Sequence, residues 1–273
     1  MICRLWAIAR RRDAASTMPS MSELVRIIPH SDGAVVELRL NRPEARNALS
    51  KPLLEAARAA LAPLAASREV RAILIGGEGQ AFCAGMDLKA LLSDPPAMGD
   101  LLMLISLLLR EIRRAPQPTI ASVQGAAVGG GCGLMSVCDF AFSHPEARLG
   151  YPEVDLGVCP AVVAPWLVRK LGAGRARQVL LAGGTMTGTR AHEVGLLTHL
   201  VERDALQSEA IAFATNLAKG GPSAMAATKN WLNELDGSMR DAELDKAARI
   251  SAEIVQGEEA LTRLRKIFSS NGQ

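Results

Sequence analysis

An α/β fold follows from three features of the sequence. Strand, turn and helix signals recur about every 45–50 residues through the first 200 positions, the spacing of parallel crossover units rather than of a sandwich or a bundle. Beyond residue 200 the strand signals stop. Four consecutive segments then read as helices, over 205–219, 222–235, 239–256 and 257–268, a tail too small for a core of its own and therefore expected to pack on the main body or on another subunit.

The elements can be justified in order. Ala34 to Leu40 is rich in branched residues and loosely alternating, so it reads as a strand, broken by Asn41-Arg42-Pro43-Glu44. Leu53, Leu54, Ala57, Leu61 and Leu64 recur at three- and four-residue spacing and predict an amphipathic helix over 51–66. Val70 to Ile75 reads as a short buried strand ended by Gly76-Gly77. Leu101, Leu104, Ile105, Leu108 and Ile112 mark another helix, stopped near Pro116 and Pro118. Thr119 to Gln124 is a strand that runs into a glycine-rich turn and a helix through Val137, followed by short strands at 139–143 and 148–151. The domain reading is a leader over 1–20, expected to be disordered, a core over 21–200 and a helical region over 201–273.

Composition narrows the function. Hydrophobic residues are 49% and charged residues 22%, ordinary for a soluble globular chain. The net charge of +3 sits in the first twenty residues, where Arg4, Arg10, Arg11 and Arg12 oppose Asp13 alone. Removing those five from 31 basic and 28 acidic side chains leaves 27 of each, so the body is neutral. A neutral body with 3% aromatic residues argues against nucleic-acid binding, which needs clustered cations and stacking platforms. The apolar run Leu101 to Leu109 is far shorter than the roughly 20 residues of a membrane span. Five cysteines without a Cys-x-x-Cys pair and four scattered histidines suggest reduced thiols, no metal and a cytoplasmic setting. The Arg-rich, acid-poor start reads either as a mitochondrial transit segment, which would place the protein in the matrix, or as a leader preceding the later starts Met18 and Met21.

Two segments carry the chemistry: Ala81 to Lys89, with Gly85, and Gln124 to Gly133, with Gly129, Gly130 and Gly131. Both place small residues where the chain leaves a strand and turns towards a helix. Glycine there lets a ligand approach the backbone, and a helix start exposes unpaired N–H groups to a developing anion. Tight helix–sheet packing is the alternative use of the same glycines. Neither a G-x-G-x-x-G fingerprint, a P-loop nor a G-x-S-x-G elbow is present.

Together with Asn41 to Leu49 and Tyr151 to Gly157, these segments resemble the enoyl-CoA hydratase/isomerase (crotonase-like) superfamily over residues 24–268. The resemblance implies a core of repeated ββα turns and a helical C-terminal region that trimerises, as a homotrimer or a dimer of trimers. It implies an acyl-CoA thioester substrate with no cofactor beyond the CoA of the substrate itself, and a thioester oxygen held by the backbone N–H groups of Met86 and Gly130. Arg46, Ala48, Ala84, Met86, Asp87, Leu88, Lys89 and Gly130 would contact substrate or CoA. Glu153 would move the proton, since a carboxylate partly removed from water titrates closer to neutrality.

The chain departs from the family pattern at Gly133, where hydratases usually carry a second glutamate. Hydration of a 2-enoyl-CoA is the leading expectation. Isomerisation of a 3-enoyl-CoA by Glu153 alone is the alternative, and a non-catalytic acyl-CoA binder is the reading from another class. Ala161 stands where several relatives carry an acidic residue, which disfavours their activities. Asp155 is expected to cap a helix or pair on the surface rather than to catalyse, and Asp87 to order its own loop.

Overall fold

The computed structural model describes residues 21–88, 92 and 97–270; the expected leader and Lys89 lie outside the described residues. Among the described residues, ten strands form two sheets. β1 (Val25–His30), β2 (Val35–Leu40), β3 (Ala72–Gly77), β5 (Thr119–Val123), β7 (Phe140–Ser143) and β10 (His199–Leu200) make a six-stranded sheet in that order. β4 (Ala81–Cys83), β6 (Ala126–Val128), β8 (Arg148–Gly150) and β9 (Thr185–Thr187) make a smaller one. Of the pairs among these strands, β1/β2 and β8/β9 are antiparallel and the rest parallel.

The two sheets grow in step. β3 leads into β4, β5 into β6 and β7 into β8, each pair placing its first strand in the large sheet and its second in the small one. Helices α1 (Met21–Leu24) and α2 (Lys51–Ala66) precede this repeat; α3 (Ala97–Arg114) and α4 (Gly130–Val137) punctuate it. The result is the repeated ββα arrangement. Then come α5 (Ala164–Leu171), α6 (Ala173–Ala182) and α7 (Gly188–Glu193), and the C-terminal helices α8 (Leu206–Leu217), α9 (Pro222–Leu235), α10 (Asp241–Val255) and α11 (Glu258–Ser270).

The large sheet is covered on both faces, which explains why its central strands read as unbroken apolar runs. Along β3, Ile73 and Ile75 enter the main core while Ala72 and Leu74 pack with Leu206, Ala210 and Ala214 of α8. The apolar stripe of α3 (Leu101, Leu102, Ile105, Leu108, Leu109, Ile112) is buried, each such side chain contributing roughly 1.5–3 kcal/mol. Its buried Arg110 pairs with Asp245 at 2.6 Å, fastening α10 to the body.

Two expectations need correction, and one strand was missed. The strand expected at 70–75 runs over 72–77: Gly76 and Gly77 pair with Arg39 and Leu40 inside the ladder. A side chain at 76 would meet the carboxylate end of Glu37, which would have to shift. The direct passages from strand to helix at 81–89 and 124–133 instead contain β4 and β6, three residues each and too short to show alternation. β1 was also illegible, because Pro29 interrupts its pattern; at the edge of the sheet, that proline costs no ladder bond.

Candidate active site

One apolar pocket gathers both glycine-rich segments. Ala84, Gly85, Met86 and Leu88 line one side, Val128, Gly129 and Gly130 another, and Pro152 and Glu153 face them. Leu102 and Ile105 of α3 and the turn from Val158 to Val163 complete the wall, with Ser251 reaching in from α10.

The backbone directions at Met86 follow from its pairing. Leu49 and Met86 form a parallel bridge in which the Leu49 amide donates to Gly85 O at 2.7 Å and the Asp87 amide donates to Leu49 O at 3.0 Å. In such a bridge the bonds belong to the residues on either side of Met86, so its own N–H points away from Leu49. Gly85 has φ +87°, and a side chain there would lie 2.6 Å from Val128 O. Glycine thus lets the 84–86 segment press against 128–130.

Gly130 opens α4, so its N–H is one of the helix donors without an intrahelical acceptor. A side chain on Gly130 would begin 4.0 Å from the Met86 nitrogen and 3.0 Å from Leu49 Cδ1, so the two amides are neighbours. Gly129 precedes them at φ 54°, ψ −119°, a conformation open to glycine, and its amide donates to Gly150 O at 2.8 Å.

Glu153 begins a single 3-10 turn, Val154–Leu156, rather than ending a strand. Its Oε1 lies 2.9 Å from the place a Gly129 side chain would occupy, and its Oε2 is buried without a hydrogen-bond partner. Burial pushes the carboxyl up to about 7, offset in part by a backbone hydrogen bond. Although the residue as a whole is half-buried, the buried Oε2 is the atom that matters for its titration. Upstream, the Tyr151 hydroxyl is 2.8 Å from Ser136 Oγ, tying the approach to Glu153 onto α4.

Gly133 faces Val163 and Leu109: a side chain there would meet Val163 Cγ1 at 2.6 Å and Leu109 Cδ1 at 3.6 Å. Among the described residues lining the pocket, Glu153 is the only carboxylate. Asp155 is exposed and accepts from the Gly184 amide at 2.7 Å, outside the pocket lining. Cys83, Cys132 and Cys138 are buried with thiols pushed up to about 12 by desolvation, so they stay protonated.

The structure therefore brings Ala84, Met86, Leu88, Gly130 and Glu153 to one pocket. Arg46, exposed, and Ala48, half-buried, stand outside its lining, as does Asp87, which pairs with Arg42 at 2.6 Å. Two supporting residues escaped sequence reasoning. Asn47 is fully buried at φ 54°; its Oδ1 accepts from the Arg42 amide, and its Nδ2 donates to Glu78 O and Ala81 O. Ser251 donates to Cys159 O at 2.8 Å and accepts from the Val162 amide at 3.2 Å. An asparagine three residues after the Asn41–Glu44 break was a signal that could have flagged Asn47, since asparagine tolerates left-handed turn positions; nothing local marks Ser251.

Two interleaved sheets, coupled through ββα turns and flanked by C-terminal helices, define a crotonase-like protein. A family model described as enoyl-CoA hydratase/isomerase matches residues 30–261. A Thermus thermophilus protein provisionally named enoyl-CoA hydratase is 37% identical over 209 residues, covering 75% of this chain and 83% of its own. Mitochondrial methylglutaconyl-CoA hydratase of Mus musculus is 32% identical over 239 residues, covering 84% and 76%. The crystal structure of an enoyl-CoA hydratase from Mycobacterium avium superposes with a TM-score of 0.81 at 28% identity, covering 90% of this chain and 96% of that one. The chain belongs to the enoyl-CoA hydratase/isomerase family.

Proposed function

We propose that the protein transforms an acyl-CoA thioester through an enolate, with Glu153 as the proton carrier, and that its reaction is the hydration of a 2-enoyl-CoA. The observation that carries this reading is the buried Oε2 of Glu153, without a hydrogen-bond partner, beside the adjacent amides of Met86 and Gly130. With the thioester oxygen on the two amides, Glu153 takes a proton from water as the hydroxide oxygen adds to C3. Negative charge gathers on the thioester oxygen, and the same carboxyl then delivers its proton to C2. One acid thus completes the addition of water. Each amide donor is worth about 2.7–4 kcal/mol of transition-state stabilisation when placed this way.

A second reading rests on Gly133, whose surroundings are Val163 and Leu109. Without a second carboxylate to orient water, Glu153 would move a proton from C2 to C4 of a 3-enoyl-CoA. A non-catalytic acyl-CoA binder is the remaining alternative, and it gives the buried acid no task. We further propose that the CoA passes along Ala84 and Leu88 towards Arg46 and Lys89, and that no cofactor is needed beyond it. The exposed Trp231, Leu232, Leu235 and Met239 favour a trimer or a dimer of trimers, and the reduced thiols a cytoplasmic setting.

Purified protein supplied separately with crotonyl-CoA and 3-hexenoyl-CoA tests the proposal. Loss of the 2-enoyl thioester absorbance from crotonyl-CoA supports hydration; gain of that absorbance from 3-hexenoyl-CoA, with crotonyl-CoA unchanged, supports isomerisation. Background rates with both, alongside tight binding of butanoyl-CoA, would leave the binder. Glu153→Gln should abolish turnover while keeping CoA-ester binding.

A further inference from the structure

At the opposite end of α4 from Gly130, a second cavity of about 110 Å³ lies where the ends of α3, α4 and α5 meet. Its wall carries Arg113, Ser136, Asp139, Trp166, Arg169 and Lys170, none of which lines the pocket of Glu153. At roughly 10–15 Å³ per water on such a measure, it has room for a small ion and several waters.

The wall is rich in donors that lack an acceptor. Arg169 donates through Nε to Asp236 O and through Nη2 to Gly237 O and Glu243 Oε1, which leaves its Nη1 without a partner among the described residues. Arg113 spends Nε on Ser238 Oγ and Nη2 on Asp236 Oδ2; its Nη1 stands 3.7 Å from Asp139 Oδ1, beyond hydrogen-bond reach. The Nε1 of Trp166 is buried and has no partner. Lys170 Nζ meets no acceptor among the described residues, the last carbonyls of α4 included. Such groups cost free energy unless something accepts from them.

Charge points the same way. Asp139 is already taken by Lys229 at 2.7 Å and by the amide and hydroxyl of Thr119. Asp236 is taken by Arg113 at 2.7 Å and Glu243 by Arg169 at 3.0 Å. Four cations thus share three carboxylates, and Lys170 carries the charge left over. Burial pushes the Lys170 pKa down, as expected of an ammonium short of both water and a counter-charge. We propose that this cavity binds one small monovalent oxyanion of the carboxylate type, held by Lys170, Arg113, Arg169 and Trp166. An anion with two oxygens can accept from donors that arrive on separate helices, and its single charge matches the one uncompensated cation. Water would supply acceptors but no charge. The site lies outside the Glu153 pocket, so it stands or falls apart from the enolate reading.

Titration of the full chain with isotope-labelled acetate, followed by NMR at constant ionic strength, tests the proposal. The wild type should show one saturable site. Lys170→Met removes the charge, and Trp166→Phe keeps the ring while removing the donor. Each should weaken acetate binding at least about tenfold, the worth of a hydrogen bond to a charged group. Lys219→Met, at an exposed lysine elsewhere, should leave it within about twofold. Trp166→Phe fills nearly the same space, so it keeps the test open if Lys170→Met unfolds the chain. No saturable acetate binding in the wild type would leave the cavity to water and overturn the site. So would binding that survives both cavity substitutions, which would make it an adventitious additive only. A change of oligomeric state in both variants by light scattering would hand the cavity to an acidic side chain of a second copy, and that too overturns a site for a free anion.

Discussion

Replacing Glu153 by glutamine should make the protein more stable, and increasingly so as pH rises. Burial lifts the carboxyl from 4.5 to about 7 in the folded chain, whereas the unfolded chain titrates near the lower value. Between these values the folded state keeps a proton that the unfolded state has released, so stability falls as pH rises through the window and levels off above it. At about 1.4 kcal/mol per pH unit, the full cost of the buried charge is about 3 kcal/mol. Glutamine fills the same space without titrating. Urea unfolding of wild type and Glu153→Gln at pH 5 and pH 8 should show the variant's advantage growing by about 2–3 kcal/mol between the two. A difference that does not change with pH would place the carboxylate in water and refute its removal from solvent. The catalytic proposal would then lose its tuned acid.

Three further outcomes follow from the same geometry. In an enoyl-CoA assay, kcat/KM should be level above about pH 7 and fall about tenfold per pH unit below it, since the base must be ionised; a flat profile from pH 5.5 to 8 would exclude Glu153 as the base. Gly129→Ala forces a side chain to within 2.9 Å of Glu153 Oε1 in a conformation reserved for glycine. It should cost about 1–3 kcal/mol of stability by thermal melting and lower kcat by at least about tenfold, with unchanged kcat arguing that the carboxylate can move freely. Ser251→Ala leaves Cys159 O and the Val162 amide without their partner and should lower stability by about 1–3 kcal/mol in denaturant titration; no change would mean that water replaces the hydroxyl.

Periodicity carried much of this fold. The helix over 51–66 matches α2 residue for residue because its buried face is a continuous stripe of leucine and alanine. The helical tail was legible for the same reason. What stayed hidden was the small sheet, whose strands β4, β6 and β9 are three residues long and lie below any detectable alternation. At the site, glycines at 85, 129 and 130 were readable as backbone permissions. Their meeting was not, since Met86 is held by a bridge to Leu49 that depends on pairing distant in sequence. Ser251 was invisible because nothing in a serine on an amphipathic helix announces the turn it secures.

The knot around Asn47 has a consequence for how such a chain can be altered. Positions 41–49 and 78–87 are joined by the Asn47 amide, by the Cys83 thiol donating to Asn47 O, by the Arg42–Asp87 pair and by the Leu49–Met86 bridge. Neither stretch holds its shape without the other. A chimera that borrows one of them from a cousin should inherit a misaligned amide at 86, and one that borrows both should work: they form a single unit of exchange, though the 28 residues from 50 to 77 lie between them.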